Sequence, residues 1–295
     1  MTKKILIAGC LLIAIVVALF VHSVQDLRMD TTEKDDQLEV ITTFLPLYVF
    51  TANVAGDAAH VTNLLPPGVG PHEYSFTPAD VRRIADADVI VMNGKKLEAW
   101  MDQLIAQSGT HAQIIDASAD VPALDDNPHV WLDPVRAQTM VQTIAIGLTR
   151  TDSDIVDGQT YMKNASNYIA RLTALDAEYH TTLSSLPHKD FIAFHSAFAY
   201  LAARYGLRER AVIEEFPGKE PTARYLAEVV DIIKKEKVKA IFSEPQFSPK
   251  VVQTVADETG LTVRELDTAE TGAFSTETYE IIMKKNLKTL QQALQ

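Results

Sequence analysis

The sequence predicts an α/β protein of two open, mainly parallel α/β lobes joined by one long rigid helix. Two observations predict it. Short apolar runs alternate with amphipathic stretches in both halves of the 295-residue chain. Between the halves, residues 159–186 contain neither Pro nor Gly, and Tyr161, Tyr168, Leu172, Leu175, Tyr179 and Leu183 keep a helical period. That stretch is far longer than an average helix, so it reads as a spine between lobes rather than a crossover within one.

In the first lobe, EVITTF (39–44) reads as a strand and LYVFTANVAGD (47–57) as a helix ending at Gly56. HVTNLL (60–65) is the next strand, followed by the stiff loop PPGVGPHEYSF. Thr77 then caps a helix, with Pro78 in its first position and Asp80 where a capping-box acid sits. Strand DVIVMNG, helix LEAWMDQLIAQS and strand QIIDAS follow. After a loop, Asp133 and Pro134 open the helix VRAQTMVQTIAIGLTR. In the second lobe the strands DFIAF, RAVIEE, VKAIFS and LTVREL alternate with the helices SAFAYLAARYG, PTARYLAEVVDIIKKE and SPKVVQTVADETG, and TETYEIIMKKNLKTLQQAL closes the chain. The boundaries are 38–153 for the first lobe, 154–186 for the linking helix and 187–295 for the second lobe. Each lobe is expected to hold an apolar core of its own.

Lys3 and Lys4 precede an apolar run at 5–21, the pattern of an export signal. Either residues 1–23 are cleaved as a signal peptide, or the run stays as an N-terminal membrane anchor, at the short end of what spans a bilayer. Residues 24–37 are polar and patternless and read as a tether. Both fates put the remainder outside the cytoplasm, in a periplasm or at the cell surface. The one cysteine, Cys10, falls in the export segment, so a metal site in the rest must use His, Asp and Glu. A net charge of −12 excludes nucleic acid as the expected partner, because phosphate binding needs clustered Lys and Arg.

Open α/β sheets bind ligands beyond the carboxyl ends of their strands. Five groups with metal or proton chemistry fall there. His72 and His129 follow first-lobe strands, and His195, Glu244 and Asp267 follow second-lobe strands. Each has a plainer reading. Loop histidines are common, His195 could be a core histidine, Asp267 could hold a turn, and Glu244 could end its strand. Asp133 is best read as a helix cap. HEYSF begins like a zinc-protease helix but has Phe76 where the second histidine must stand. No phosphate-binding glycine pattern and no serine nucleophile elbow occurs.

LLPPGVGPHEYSFTPADVRRIADADVIVMNG, NPHVWLDP, FIAFHSAFAYLAARYGL and IFSEPQFSPKVV together resemble the substrate-binding proteins of zinc and manganese ABC importers, from Leu38 to the C-terminus. The resemblance implies a metal site in the interlobe cleft, with ligands at His72, His129, His195 and Asp267. Glu244 is expected beside the site, touching a ligand rather than the metal. Histidine at position 195 matches the zinc-type members, where manganese-type members carry Glu; imidazole suits zinc, and manganese prefers oxygen. Two departures stand out. The loop before His129 lacks the His-rich insert of many zinc-type members, and Thr268 follows Asp267 where the family usually has Pro. The implied function is a non-enzymatic, monomeric carrier that captures Zn2+, with Mn2+ as the alternative, and delivers it to the membrane permease of an ABC transporter. A zinc hydrolase would use the same three histidines with water in the fourth position and Asp267 or Glu244 as base. A surface adhesin would use the metal for structure alone.

Overall fold

The computed structural model describes residues 37–295, except 73, 216 and 217. The expected export segment and nearly all of the tether lie outside the described residues. Leu38–Gln295 form one compact unit. Among the described residues, no helix is long and apolar enough to cross a membrane.

The first sheet contains β1 (Leu38–Thr42), β2 (Ala59–Asn63), β3 (Val89–Met92) and β4 (Gln113–Asp116), in the order β2-β1-β3-β4 and parallel throughout. The second repeats the plan with β5 (Asp190–Ala193), β6 (Arg208–Val212), β7 (Ala240–Ser243) and β8 (Val263–Glu265), in the order β6-β5-β7-β8. Parallel strands need covered faces, hence the nearly unbroken apolar runs of β3 and β7. In each sheet the order reverses beside the first strand, between β1 and β3 and between β5 and β7. Such switch points leave a crevice at the strand ends.

The covering helices are α1 (Leu45–Ala55), α2 (Pro78–Ala85), α3 (Met101–Ser108) and α4 (Pro134–Thr151) in the first lobe. In the second they are α6 (Ala199–Tyr205), α7 (Ala223–Glu236), α8 (Lys250–Thr259) and α9 (Thr278–Leu294). Thr77 and Asp80 form the expected reciprocal capping box at α2. Asp133 accepts from the Val135 amide at the start of α4. The helix of Lys250–Thr259 begins after Pro249 rather than at it.

The long helix α5 spans Ile155–Ser184 and is capped by Asp154, so it runs through Gly158. A Cβ at Gly158 would stand 3.1 Å from Thr149 Cγ2, so glycine lets α5 settle closely on α4. The buried tyrosines along α5 tie it down by their hydroxyls. Tyr161 donates to Asp152, Tyr168 to Glu280 and Tyr179 to the Met283 carbonyl. The spine is therefore packed along its length against both lobes.

The expectation of one core per lobe needs correction. One buried apolar cluster runs from the first lobe through α5 into the second. Phe44 meets Trp131 edge-on at 4.9 Å, and Phe50 of α1 meets Tyr279 of α9 at the same separation. Trp131 donates to the Thr268 carbonyl and accepts from the Tyr279 hydroxyl. The second lobe adds only a smaller cluster, which includes Ile192, Phe194, Val229, Ile241 and Val255. The cause lies in the last helix, α9, which packs on α5 and α1 and joins the lobes' apolar faces.

Candidate metal centre

Local structure presents each side chain to the cleft. His72 ends a loop stiffened by Pro66, Pro67 and Pro71, and Trp100 Nε1 donates to the Pro71 carbonyl at 2.8 Å. His129 sits just after Pro128, whose carbonyl accepts from Asn93 Nδ2 at 3.0 Å. Asn93 follows β3 and also donates its amide to the buried Glu98. Behind His129, the short 3-10 turn Val130–Leu132 buries all three of its residues. His195 lies two positions beyond β5 and is 2 % exposed. Its Nδ1 is 2.7 Å from Glu244 Oε1, at the end of β7.

The three imidazoles meet. His129 Nε2 is 3.2 Å from His72 Nε2 and 3.1 Å from His195 Nε2. A carboxylate completes the group, and it belongs to Glu270. Its Oε1 lies 3.1 Å from His72 Nε2, 3.5 Å from His129 Nε2 and 3.9 Å from His195 Nε2. All four potential donor atoms fall within 4.8 Å of one another. Four donors at about 2.0–2.1 Å from a tetrahedral zinc ion stand about 3.3 Å apart, so the set matches that ion's size.

Asp267 is not in this group, which corrects the sequence expectation. Its Oδ1 accepts from the Ala269 amide at 2.8 Å, while its backbone is bonded twice to Asn286 of α9. The carboxylate is used by a local turn, a common role for Asp. Ala269 then takes a left-handed φ of 57°, and the chain beyond it brings Glu270 to the histidines. Glu270 shares with Asp267 the loop after β8, so the strand-end rule covers it equally, while the resemblance points to Asp267. The orienting residue Asn127 was also missed. Its Oδ1 accepts from the His129 amide and faces His129 Nδ1 at 2.9 Å.

These partners decide the tautomers. With Asn127 Oδ1 and Glu244 Oε1 facing them, the Nδ1 atoms of His129 and His195 carry the hydrogen and the Nε2 lone pairs point inward. Burial holds both rings down to about 4, against the pull of Glu270. Burial lowers His72 too, but the hydrogen bond and charge of Glu270 outweigh it, and His72 ends above its ordinary value. Burial opposes ionisation of Glu270, yet its contacts with His129 and His72 hold it well below the usual carboxylate range. Burial and the Glu270 charge push Glu244 well up. Inward lone pairs facing an ionised carboxylate repel one another, and a cation at their meeting point removes that repulsion.

Comparison with known proteins agrees with this geometry. The family described as "Zinc-uptake complex component A periplasmic" (ZnuA) matches residues 40–293. The chain belongs to the ZnuA family. Among the family's relatives, the high-affinity zinc uptake system protein ZnuA of Bacillus subtilis (strain 168) is 36% identical over 88% of this chain and 89% of its own length. The zinc-binding lipoprotein AdcA of Streptococcus pneumoniae is 34% identical over 96% of this chain, which spans 60% of AdcA. The solved Zn(II)-bound ZnuA-like domain of AdcA superposes with a TM-score of 0.77 at 36% identity, covering 88% of this chain and 99% of that domain. The substrate-binding protein FpvC of Pseudomonas aeruginosa, solved with Ni2+, gives a TM-score of 0.82 at 34% identity over 88% of this chain and 97% of FpvC. The ZnuA-family fold therefore agrees with the two parallel lobes.

Proposed function

We propose that this chain captures zinc outside the cytoplasm and delivers it to the membrane permease of an ABC importer, with His72, His129, His195 and Glu270 as the four ligands. The observation that carries the proposal is the convergence of three Nε2 atoms and one carboxylate oxygen at tetrahedral spacing. Three nitrogens and one oxygen suit zinc better than manganese. A hydrolase would leave a position to water; here Glu270 takes the fourth, which favours binding over catalysis. Two donors come from each lobe, so separating the lobes pulls the set apart and frees the ion. Kinship with zinc-uptake proteins supports the cargo, the extracytoplasmic location and the permease partner.

Competition titration tests the cargo. Zinc is expected to bind at least about tenfold tighter than manganese, and His195→Glu to narrow the gap by exchanging a nitrogen donor for oxygen. Equal or reversed preference in the unaltered protein would remove the zinc assignment.

Acid should weaken binding in two stages. A proton on a ligand nitrogen blocks its lone pair, so affinity falls as pH falls through that group's pKa. His72, whose pKa is raised, charges first, and its proton then bridges to Glu270 in place of the metal. Between pH 7 and 5, affinity is therefore expected to drop by about one decade per pH unit, steepening only near pH 4, where His129 and His195 charge. Isothermal titration across this range gives the slope. About two decades per unit or more at pH 6, as three ordinary histidines would give, would overturn the effect of burial.

A further inference from the structure

Glu270 faces the histidines through one oxygen only. While Oε1 approaches the three Nε2 atoms, Oε2 turns away, 3.5 Å from Gln246 Nε2. A Cβ built on Gly70 would lie 3.6 Å from Oε2, so this oxygen points out of the histidine cluster. Gln246 Nε2 also donates to Glu244 Oε2 at 3.1 Å and to Thr268 Oγ1 at 3.0 Å. One half-buried amide thus links Glu244, which holds His195, with Glu270. Its orientation follows from its neighbours. Nε2 faces three oxygens, whereas Oε1 is buried without a hydrogen-bond partner among the described residues. A flipped amide would set its oxygen against two carboxylate oxygens, Glu244 Oε2 and Glu270 Oε2.

We infer that Gln246 holds Glu270 to contact through a single oxygen and thereby sets the metal selectivity of the site. The inference rests on the zinc-capture reading and adds to it the residue that keeps coordination at four. Space alone does not. A cavity of about 240 Å³, lined in part by Gly68, Val69, Gly70, His72, Gln246 and Glu270, adjoins the cluster on this side. It has room for water beside Oε2. A cation that gathered both would become five- or six-coordinate and oxygen-rich, which suits manganese and not zinc. Gln246 shares its two N–H hydrogens among three oxygens, and its contact with Oε2 opposes an inward swing of that oxygen, since turning inward gives that contact up. Gln246 is a positioning residue: it acts through Glu270 and does not touch the metal position.

Cobalt(II) tests this, because its visible absorption is intense when four-coordinate and weak when five- or six-coordinate. Gln246→Met keeps the side-chain length and removes the donor. The unaltered protein is expected to give the intense spectrum at one equivalent of cobalt. Gln246→Met is expected to lose most of that intensity, and its preference for zinc over manganese should shrink roughly tenfold, the lower range for losing a partner of a metal-bound side chain. Thr268→Val leaves Gln246 in place but removes one anchor of its amide, so a smaller change in the same direction is expected even if Gln246→Met folds poorly. Identical spectra and unchanged metal preference in both variants would overturn the role of Gln246 and leave zinc capture standing. Weaker zinc binding with an unchanged spectrum would also overturn it, as the mark of a merely structural residue. An unaltered protein that takes up neither zinc nor cobalt would instead sink the capture reading, and this inference with it.

Discussion

Glu270→Ala is expected to lower zinc affinity by about a hundredfold, while Asp267→Ala leaves it within about threefold. Structural zinc sites bind with roughly 10–16 kcal/mol, so one donor in four carries about 3 kcal/mol, on the order of a hundredfold. His129→Ala and His195→Ala should lose at least as much, since each also leaves Asn127 or Glu244 without the ring it orients. Asp267 has a different task. Its carboxylate holds the Ala269 amide, and the loop has other anchors in Asn286 and Trp131. Competition with a fluorescent zinc chelator would rank the variants, and circular dichroism would check that helix content is kept. If Asp267→Ala matched Glu270→Ala in its loss, the loop would have to rearrange on binding and bring Asp267 to the metal.

Zinc is expected to raise stability without creating the fold. The apolar cluster shared by α1, α5 and α9 already holds the lobes together, so the metal-free protein should unfold cooperatively. Mass action then adds about 4 kcal/mol when free zinc is a thousand times Kd. At roughly 2–4 °C per kcal/mol for chains near this size, the melting temperature should rise by roughly 10 °C. Glu270→Ala, tested at the same zinc concentration, should lose most of that rise. Differential scanning calorimetry with and without zinc gives both values. A metal-free protein without a cooperative transition would mean that the ion organises the fold. The shared core also argues against a wide hinge, because separating the lobes would expose Phe44, Trp131 and Tyr279.

The parallel lobes and the long helix were legible because their signals are local. Apolar runs such as VIVM and AIFS can form only buried strands in this context, and the tyrosine and leucine spacing of α5 has one helical reading. Caps at Thr77 and Asp133 were legible for the same reason. Three histidines followed from strand-end position. The fourth group did not, because Asp267 and Glu270 share one loop and differ only in how that loop turns. The left-handed Ala269 and the paired bonds to Asn286 decide it, and neither leaves a mark in sequence spacing. The single core was hidden too. It depends on where α9 packs, a contact between distant parts of the chain.

The most direct test is the zinc coordination shell, read by X-ray absorption on protein purified with its own metal and then on protein loaded with one equivalent of zinc. Three imidazole nitrogens and one oxygen, all at about 2.0–2.1 Å, are expected in both. A shell of five or six ligands rich in oxygen, or one with fewer than three imidazoles, would contradict capture of zinc by His72, His129, His195 and Glu270.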